Sequence, residues 1–458
     1  MLSQVPFLSS SFGSEPALLD DEGRAWVSYD ALRRESEKWS DRLKGPRGLV
    51  FLYIRNDVQS VAALLGALGA GHAVALFDPK LSAQARARLE ACYQPDWLAE
   101  PGVPHEVRGP LNSVPVSLDP GLALLLSTSG STGSPKLVRL TLAAIEANAA
   151  GISDVLGIGQ ADVASGHLPL HYSYGLSVLT SHLYRGARVR LTEYGFMQRE
   201  FWPSMRNAEI THFPGVPFHY HMLAKLGFGR LNLNSLRTMT QAGGAMSVAI
   251  RRQAHAFMSE RGGGFYVLYG QTEAAPRMAT LQHSDFPVAD GSVGTALPGC
   301  RFEIREPDEN NCGEVIFYGP NVMQGYAESR ADLALGDILK GRLQTGDIGW
   351  LDECGRLYLT GRAKRFGKIY GLRVSLDELE REASMLAPVA AVQAGEGVCI
   401  FIASSGNEAQ DSEHKQILLD HLLSRFTIPR AGYTFRSVDA IPHTARGKVD
   451  YAALENLE

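Results

Sequence analysis

Short runs of Leu, Val, Ile and Phe recur along the first three quarters of the chain, separated by longer stretches in which apolar residues return at helical spacing. The runs are GLVFLYI at 48–54, HAVALF at 72–77, LALLLST at 122–128, ARVRLT at 187–192 and GFYVLYG at 264–270. Continuous apolar runs of this length are strands buried on both faces, and their alternation with helices predicts an α/β domain built on largely parallel sheets. Between Arg301 and Leu359 the texture changes to short strands and turns, which predicts an antiparallel β-subdomain. From about Gly361 it changes again: Ser375–Leu386 reads as a capped helix, VCIFIA as a strand and HKQILLDHLLSRF as a helix. The fold class is therefore α/β: a large N-terminal domain of stacked mixed or parallel sheets with helices plus a β-subdomain, followed by a small α+β C-terminal domain.

The most apolar stretch, Val61 to Phe77, is broken by Gly66, Gly69, Gly71 and His72, so it reads as a helix followed by a buried strand, not as a membrane span. The first residues lack the positive-then-apolar order of a secretory leader. With 44 Lys and Arg against 49 Asp and Glu, the chain carries a net charge of -5, which provides no field for nucleic acid or an anionic membrane. Five cysteines, never at C-x-x-C spacing, argue against a disulfide framework or a zinc knuckle and fit a reducing cytoplasm.

The chemistry-bearing segments are few. Ser127 through Lys136, STSGSTGSPK, follows a buried strand; its glycines let the backbone approach an anion, its hydroxyls and N–H groups can wrap phosphate oxygens, and Lys136 closes the loop. It lacks the G-K-[ST] ending of a Walker A motif. Tyr269-Gly270-Gln271-Thr272-Glu273 ends a strand, where a carboxylate beside a hydroxyl could hold Mg²⁺ and a phosphate oxygen and Tyr269 offers a flat face to a base. Gln344-Thr345-Gly346-Asp347 sets one acid after a Gly turn, as a diol-binding carboxylate would be set. Between Arg356 and Arg373 lie six basic residues and no acidic one, read either as a solvated strand or as a wall beside a polyphosphate.

Taken in order, these segments with the Gly243-Gly244-Ala245 turn, GEVIFYGPNVMQGY and the tail PHTARGK resemble the adenylate-forming superfamily of acyl- and aryl-CoA synthetases, peptide-synthetase adenylation domains and luciferases. The resemblance implies ATP-dependent activation of a small-molecule carboxylic acid to an acyl-AMP, then transfer to a thiol. It implies that Thr128, Ser129, Gly130, Ser131, Thr132, Gly133 and Lys136 hold the β- and γ-phosphates, and that Thr272 touches the α-phosphate. Glu273 would hold Mg²⁺; Gly243, Gly244 and Ala245 with Tyr269 would enclose adenine, Gly270 and Gln271 would also bind the nucleotide, and Asp347 with Arg362 would bind ribose. Lys448 would bridge the acyl carboxylate and ribose oxygens during adenylation. Because Lys448 would block the thiol, the family rotates its small mobile domain about a hinge. Lys364 falls at the hinge position, dividing 1–363 from 364–458, and Gly371 at the thioester-forming loop.

Amino-acid-activating relatives pair an Asp with the α-ammonium, and here Gly175 falls at that place; an ammonium buried without a carboxylate is costly, so α-amino acids are disfavoured. Pro169 through Gly175, PLHYSYG, resembles the P-L-x-H-x-x-G run of acyl- and aryl-CoA ligases, with His171 and Tyr172 as wall candidates; a lone His in an apolar run is equally a satisfied core residue. Phe213, Val216, Phe218 and Tyr266 are read as acyl-pocket lining or as ordinary core. An aryl or short-to-medium acyl acid is expected. The acceptor is CoA or, alternatively, a phosphopantetheinyl acyl carrier protein.

Overall fold

The computed structural model describes residues 5–457 apart from 24, 104–105, 112–116, 128–135, 363–364, 370–371, 396, 405, 427 and 444–448. The chain divides into two compact units, the first formed by Met1–Gly243, Arg252–Phe302 and Phe317–Leu343, the second by Gly244–Arg251, Glu303–Ile316 and Gln344–Glu458.

The first unit holds two large sheets. One has seven strands in the order Gly325–Ala327, Leu137–Thr141, Leu122–Ser127, Ala73–Phe77, Leu49–Tyr53, Trp97–Ala99 and Val107–Arg108. Its central strands Leu49–Tyr53 and Ala73–Phe77 are parallel, with Leu49 opposite Ala73, and every residue in both is buried. That burial accounts for their unbroken apolar sequence. The helix Val58–Gly69 joins them and is capped by the Asp57 carboxylate on the Ser60 N–H. It packs on the helix Tyr29–Arg42 at Gly66, where a Cβ would come within 2.4 Å of the Ser36 carbonyl oxygen.

The second sheet has nine strands: Thr295–Ala296, Arg277–Leu281, Gly264–Gly270, Thr238–Gln241, His212–Gly215, Val163–Gly166, Arg188–Leu191, Pro16–Leu19 and Val27–Ser28. From Gly264–Gly270 to Pro16–Leu19 the strands are parallel. Their carboxyl ends deliver Leu168–Tyr172, Val216, Gly243 and Gln271–Glu273 to one edge, where sites of α/β sheets open. The pair Pro16–Leu19 and Val27–Ser28 extends this sheet from a region in which the sequence had suggested no element.

A four-stranded sheet of Arg301–Arg305, Gly313–Tyr318, Arg342–Leu351 and Leu357–Arg362 supplies the short strands expected between Arg301 and Leu359, the last two pairing antiparallel. The hairpin Phe366–Ile369/Leu372–Ser375, the helix Leu376–Ala383 and a three-stranded sheet of Val389–Ala394, Gly397–Ala403 and Tyr433–Val438 follow. Leu379, Ile400, Leu418 and Leu422 pack one face of that sheet, and Ala390, Phe401 and Leu454 the other. Among the described residues no helix is long and apolar enough to cross a membrane, and no group of three or more His, Cys, Asp or Glu could hold a metal.

Candidate active site

The strand Gly264–Gly270 ends in a turn that only glycine permits: a Cβ on Gly270 would sit 2.0 Å from the Pro276 carbonyl oxygen, the same oxygen that accepts the Gln271 N–H at 2.9 Å. Two buried amides grip the turn from behind. Asn148 donates to the Arg277 carbonyl at 2.9 Å, and Asn321 donates to the carbonyls of Ala274 and Arg277 at 2.6 and 2.7 Å. Thr272 and Glu273 are thereby held on a rigid backbone.

Each makes one defining contact. The Thr272 hydroxyl lies 3.1 Å from the Ser173 hydroxyl, and Glu273 Oε1 accepts the Tyr326 phenol O–H at 2.8 Å. The Lys136 ammonium sits 3.6 Å above the centroid of the Tyr326 ring. Burial and, after it, the Glu273 charge push the Tyr326 phenol well above its ordinary range, so it remains a donor at any working pH. A carboxylate oriented through one oxygen, beside a threonine hydroxyl, is a hard-oxygen donor set that fits Mg²⁺.

Helix Ser173–Tyr184 begins beside this turn with no side-chain cap on its first N–H groups. Its N-cap residue Tyr172 points its hydroxyl to within 2.9 Å of where a Cβ on Gly243 would stand, and Val216 Cγ1 lies 3.3 Å from the same point. Gly243 has φ +86°, a conformation that favours glycine. Tyr172, Val216 and Gly243 therefore converge. His171 turns instead toward Asp78, with Nε2 3.8 Å from Oδ2.

The other pocket candidates disperse. Gly175 has its Cα pressed on the 168–169 peptides, where a Cβ would meet the Pro169 and Leu168 oxygens at 2.3 and 2.6 Å. Phe213 is core, stacked on His167 with centroids 5.1 Å apart and on Trp202 at 5.9 Å. Phe218 is 47% exposed at the start of helix Pro217–Leu226. Tyr266 folds back over Gly264 at the start of its strand, the end opposite Tyr269. Tyr269 is buried near Phe302, with centroids 6.2 Å apart.

In the second unit, which also contains Gly244 and Ala245, Asp347 is buried in the strand Arg342–Leu351 directly opposite Arg362, whose Nε donates to Oδ1 at 3.1 Å. The Arg362 N–H donates to Asp377 Oδ2 at 2.9 Å, and Arg365 donates to Asp377 Oδ1 at 2.7 Å. Arg365 also pairs with Glu380 at 2.7 Å and stacks on Tyr451 at 3.7 Å, while the Tyr451 hydroxyl donates to Glu380 Oε2 at 2.8 Å. His443 and Val449 are bridged antiparallel. Thr128, Ser129, Gly130, Ser131, Thr132, Gly133, Lys364, Gly371 and Lys448 lie outside the described residues.

Three residues were missed by the sequence reading. Tyr326 closes GEVIFYGPNVMQGY, and only its partner Glu273 gives it meaning. Arg365 reads in the sequence as one charge in a basic run. Arg277 opens the buried strand RMATL, and a charge at an otherwise apolar strand position was the available signal.

The family model described as "AMP-binding enzyme" matches residues 88–327. The 2-succinylbenzoate–CoA ligase of Lactococcus lactis is 27% identical over 425 residues, covering 87% of this chain and 88% of that protein. The 4-coumarate–CoA ligase 2 of Nicotiana tabacum is 27% identical over 506 aligned residues, covering 96% and 91%. Among solved structures, the o-succinylbenzoate CoA synthetase of Bacillus subtilis in complex with ATP and magnesium ion superposes with a TM-score of 0.77 at 23% identity, covering 97% of this chain and 98% of that one.

Proposed function

From its membership of the AMP-binding enzyme family, within the adenylate-forming superfamily, we propose that this chain, an acyl-CoA-synthetase-like enzyme, activates an aryl or short-to-medium acyl acid as its adenylate and passes the acyl group to CoA. The acid's carboxylate oxygen attacks the α-phosphorus of ATP and the bond to pyrophosphate breaks; the thiol sulfur then bonds the acyl carbon, AMP leaves, and the thiol proton is released.

The observation that carries this reading is the linked arrangement of Lys136, Tyr326 and Glu273 beside the Thr272–Ser173 hydroxyl pair. Two like charges 4 Å apart in a partly shielded site repel by about 4 kcal/mol, so carboxylate and phosphate meet only among compensating cations. Lys136 and, in this proposal, Lys448 provide fixed ones. Mg²⁺, held by Glu273 with Thr272 nearby, would supply further charge against the phosphates. Asp347, positioned by Arg362, is suited to accept hydrogen bonds from a ribose diol. Lys364 is the proposed pivot between 1–363 and 364–458, with Gly371 on the thioester-forming side.

The names of the two curated relatives, both aryl-acid CoA ligases, support an aryl acid and CoA as acceptor. The test is to assay AMP and pyrophosphate release from ATP with a panel of aryl, fatty and amino acids, with and without CoA. Turnover of a non-amino acid that requires CoA is expected; acyl-AMP formation that CoA does not accelerate would point to a carrier protein.

A further inference from the structure

Arg277 is 3% exposed, yet among the described residues its guanidinium forms no ion pair and no side-chain hydrogen bond. Its nearest recorded neighbours are the aromatic rings at the start of helix Ser173–Tyr184: Cζ lies 5.5 Å from the Tyr174 ring, and Tyr172 is the next group to feel its charge. Burial lowers the guanidinium to about 10, which leaves it charged at neutral pH. A buried charge with no counter-ion among the described residues is costly, and the ring beside it belongs to the first turn of a twelve-residue helix with no side-chain cap, whose positive end does nothing to offset it. The backbone of Arg277 is meanwhile fixed by Asn148 and Asn321. A buried cation with no anionic partner among the described residues, beside the ring of an uncapped helix's first turn, suits an oxyanion.

We propose that Arg277 and the N-terminus of helix Ser173–Tyr184 bind a second carboxylate of the acid substrate, so that the preferred substrates are dicarboxylic acids. This rests on the ligase reading above. The oxyanion could in principle come from the acid or from the nucleotide. The reacting carboxylate loses its charge when it becomes a mixed anhydride and would leave Arg277 uncompensated; a second carboxylate stays charged through both half-reactions. Tyr172 also leads from this point toward Val216 and Gly243, the converging pocket candidates.

The experiment compares matched acids, benzoate with the three benzenedicarboxylates and butyrate with succinate, in wild type, R277M and R277K. AMP formation gives kcat/KM, and thermal shift without ATP gives binding. Wild type is expected to favour a dicarboxylate in at least one pair, and R277M to lose at least roughly 30-fold of kcat/KM for it while its rate on the monoacid and its KM for ATP stay within about twofold. R277K is expected to fall between. Because R277M removes an unpaired buried charge, its unliganded melting temperature should be no lower than wild type. A wild-type preference for the monoacid in every pair would overturn the proposal. So would equal loss on both acids, or a raised KM for ATP, which would assign the charge to phosphate. Should R277M not fold, R277K carries the same comparison. Arg277-dependent binding of a dicarboxylate without AMP formation would overturn the ligase reading and leave the anion site standing.

Discussion

Replacing Tyr326 with Phe removes one hydrogen bond and almost nothing else. The ring that carries Lys136 keeps its face, and the lost atom is the O–H that donates to Glu273 Oε1 at 2.8 Å. A hydrogen bond to a charged acceptor contributes about 1.5–3 kcal/mol. If all of it is spent in the transition state, at about 1.4 kcal/mol per decade, Y326F should lower the rate of acid-dependent pyrophosphate exchange by roughly 10- to 150-fold. Glu273 loses its orientation, so the Mg²⁺ concentration for half-maximal rate should rise. The phenol is held above its usual range and stays protonated, so the loss should be flat between about pH 6 and 9. The assay is exchange of labelled pyrophosphate into ATP at saturating acid, titrated with Mg²⁺ for both proteins. A rate loss below about threefold at limiting and saturating Mg²⁺ alike would refute the view that Tyr326 acts through Glu273.

Other perturbations have equally definite outcomes. G175A forces a Cβ to 2.3 Å from the Pro169 carbonyl oxygen; it should cost several kcal/mol, on the order of 3 or more, seen as a lower urea midpoint, and G175D should be worse without conferring amino-acid activation. D347N leaves Arg362 without its carboxylate and should raise KM for ATP roughly tenfold, measured by initial rates, with the acid KM unchanged. R365M removes the pairing with Asp377 and Glu380 and the stacking on Tyr451, three residues past Lys448, and leaves Tyr451 only its hydroxyl bond to Glu380; adenylation should fall roughly tenfold in exchange assays while thioester formation from supplied acyl-adenylate persists. Burial lowers His182 and His219 to about 4, and lowers His212 as well. Their unfolded value near 6.5 binds protons first, so the stability they contribute is present above about pH 6.5 and lost as pH falls toward 4. By pH 5 the loss should be about 2 kcal/mol for each of His182 and His219, read from urea midpoints at pH 7 and 5; equal midpoints would contradict it.

What was legible in the sequence is what a single strand or loop states by itself. Leu49–Tyr53 and Ala73–Phe77 are apolar throughout because both faces are covered, and the run announces it. Gly270 was visible in its motif, whereas the reason for it, the Pro276 oxygen folded against it, depends on a turn that spacing does not reveal. The pocket was read least well. Gly175 was assigned by analogy to a side chain's place, but helix Ser173–Tyr184 packs on the 168–169 peptides there. Phe213 and Tyr266 lie on strands where alternation says which face a ring takes, not whether a ligand or another ring covers it. Arg277 and Tyr326 have partners, or lack them, only through contacts more than a hundred or some fifty residues distant in sequence.

The most direct test of the central claim is to incubate the protein with ATP, Mg²⁺ and a panel of aryl acids, with and without CoA, and identify the nucleotide product. The account predicts AMP and pyrophosphate, formed only when an acid is present and turning over with CoA. ADP and phosphate, or hydrolysis that ignores the acid, would contradict it.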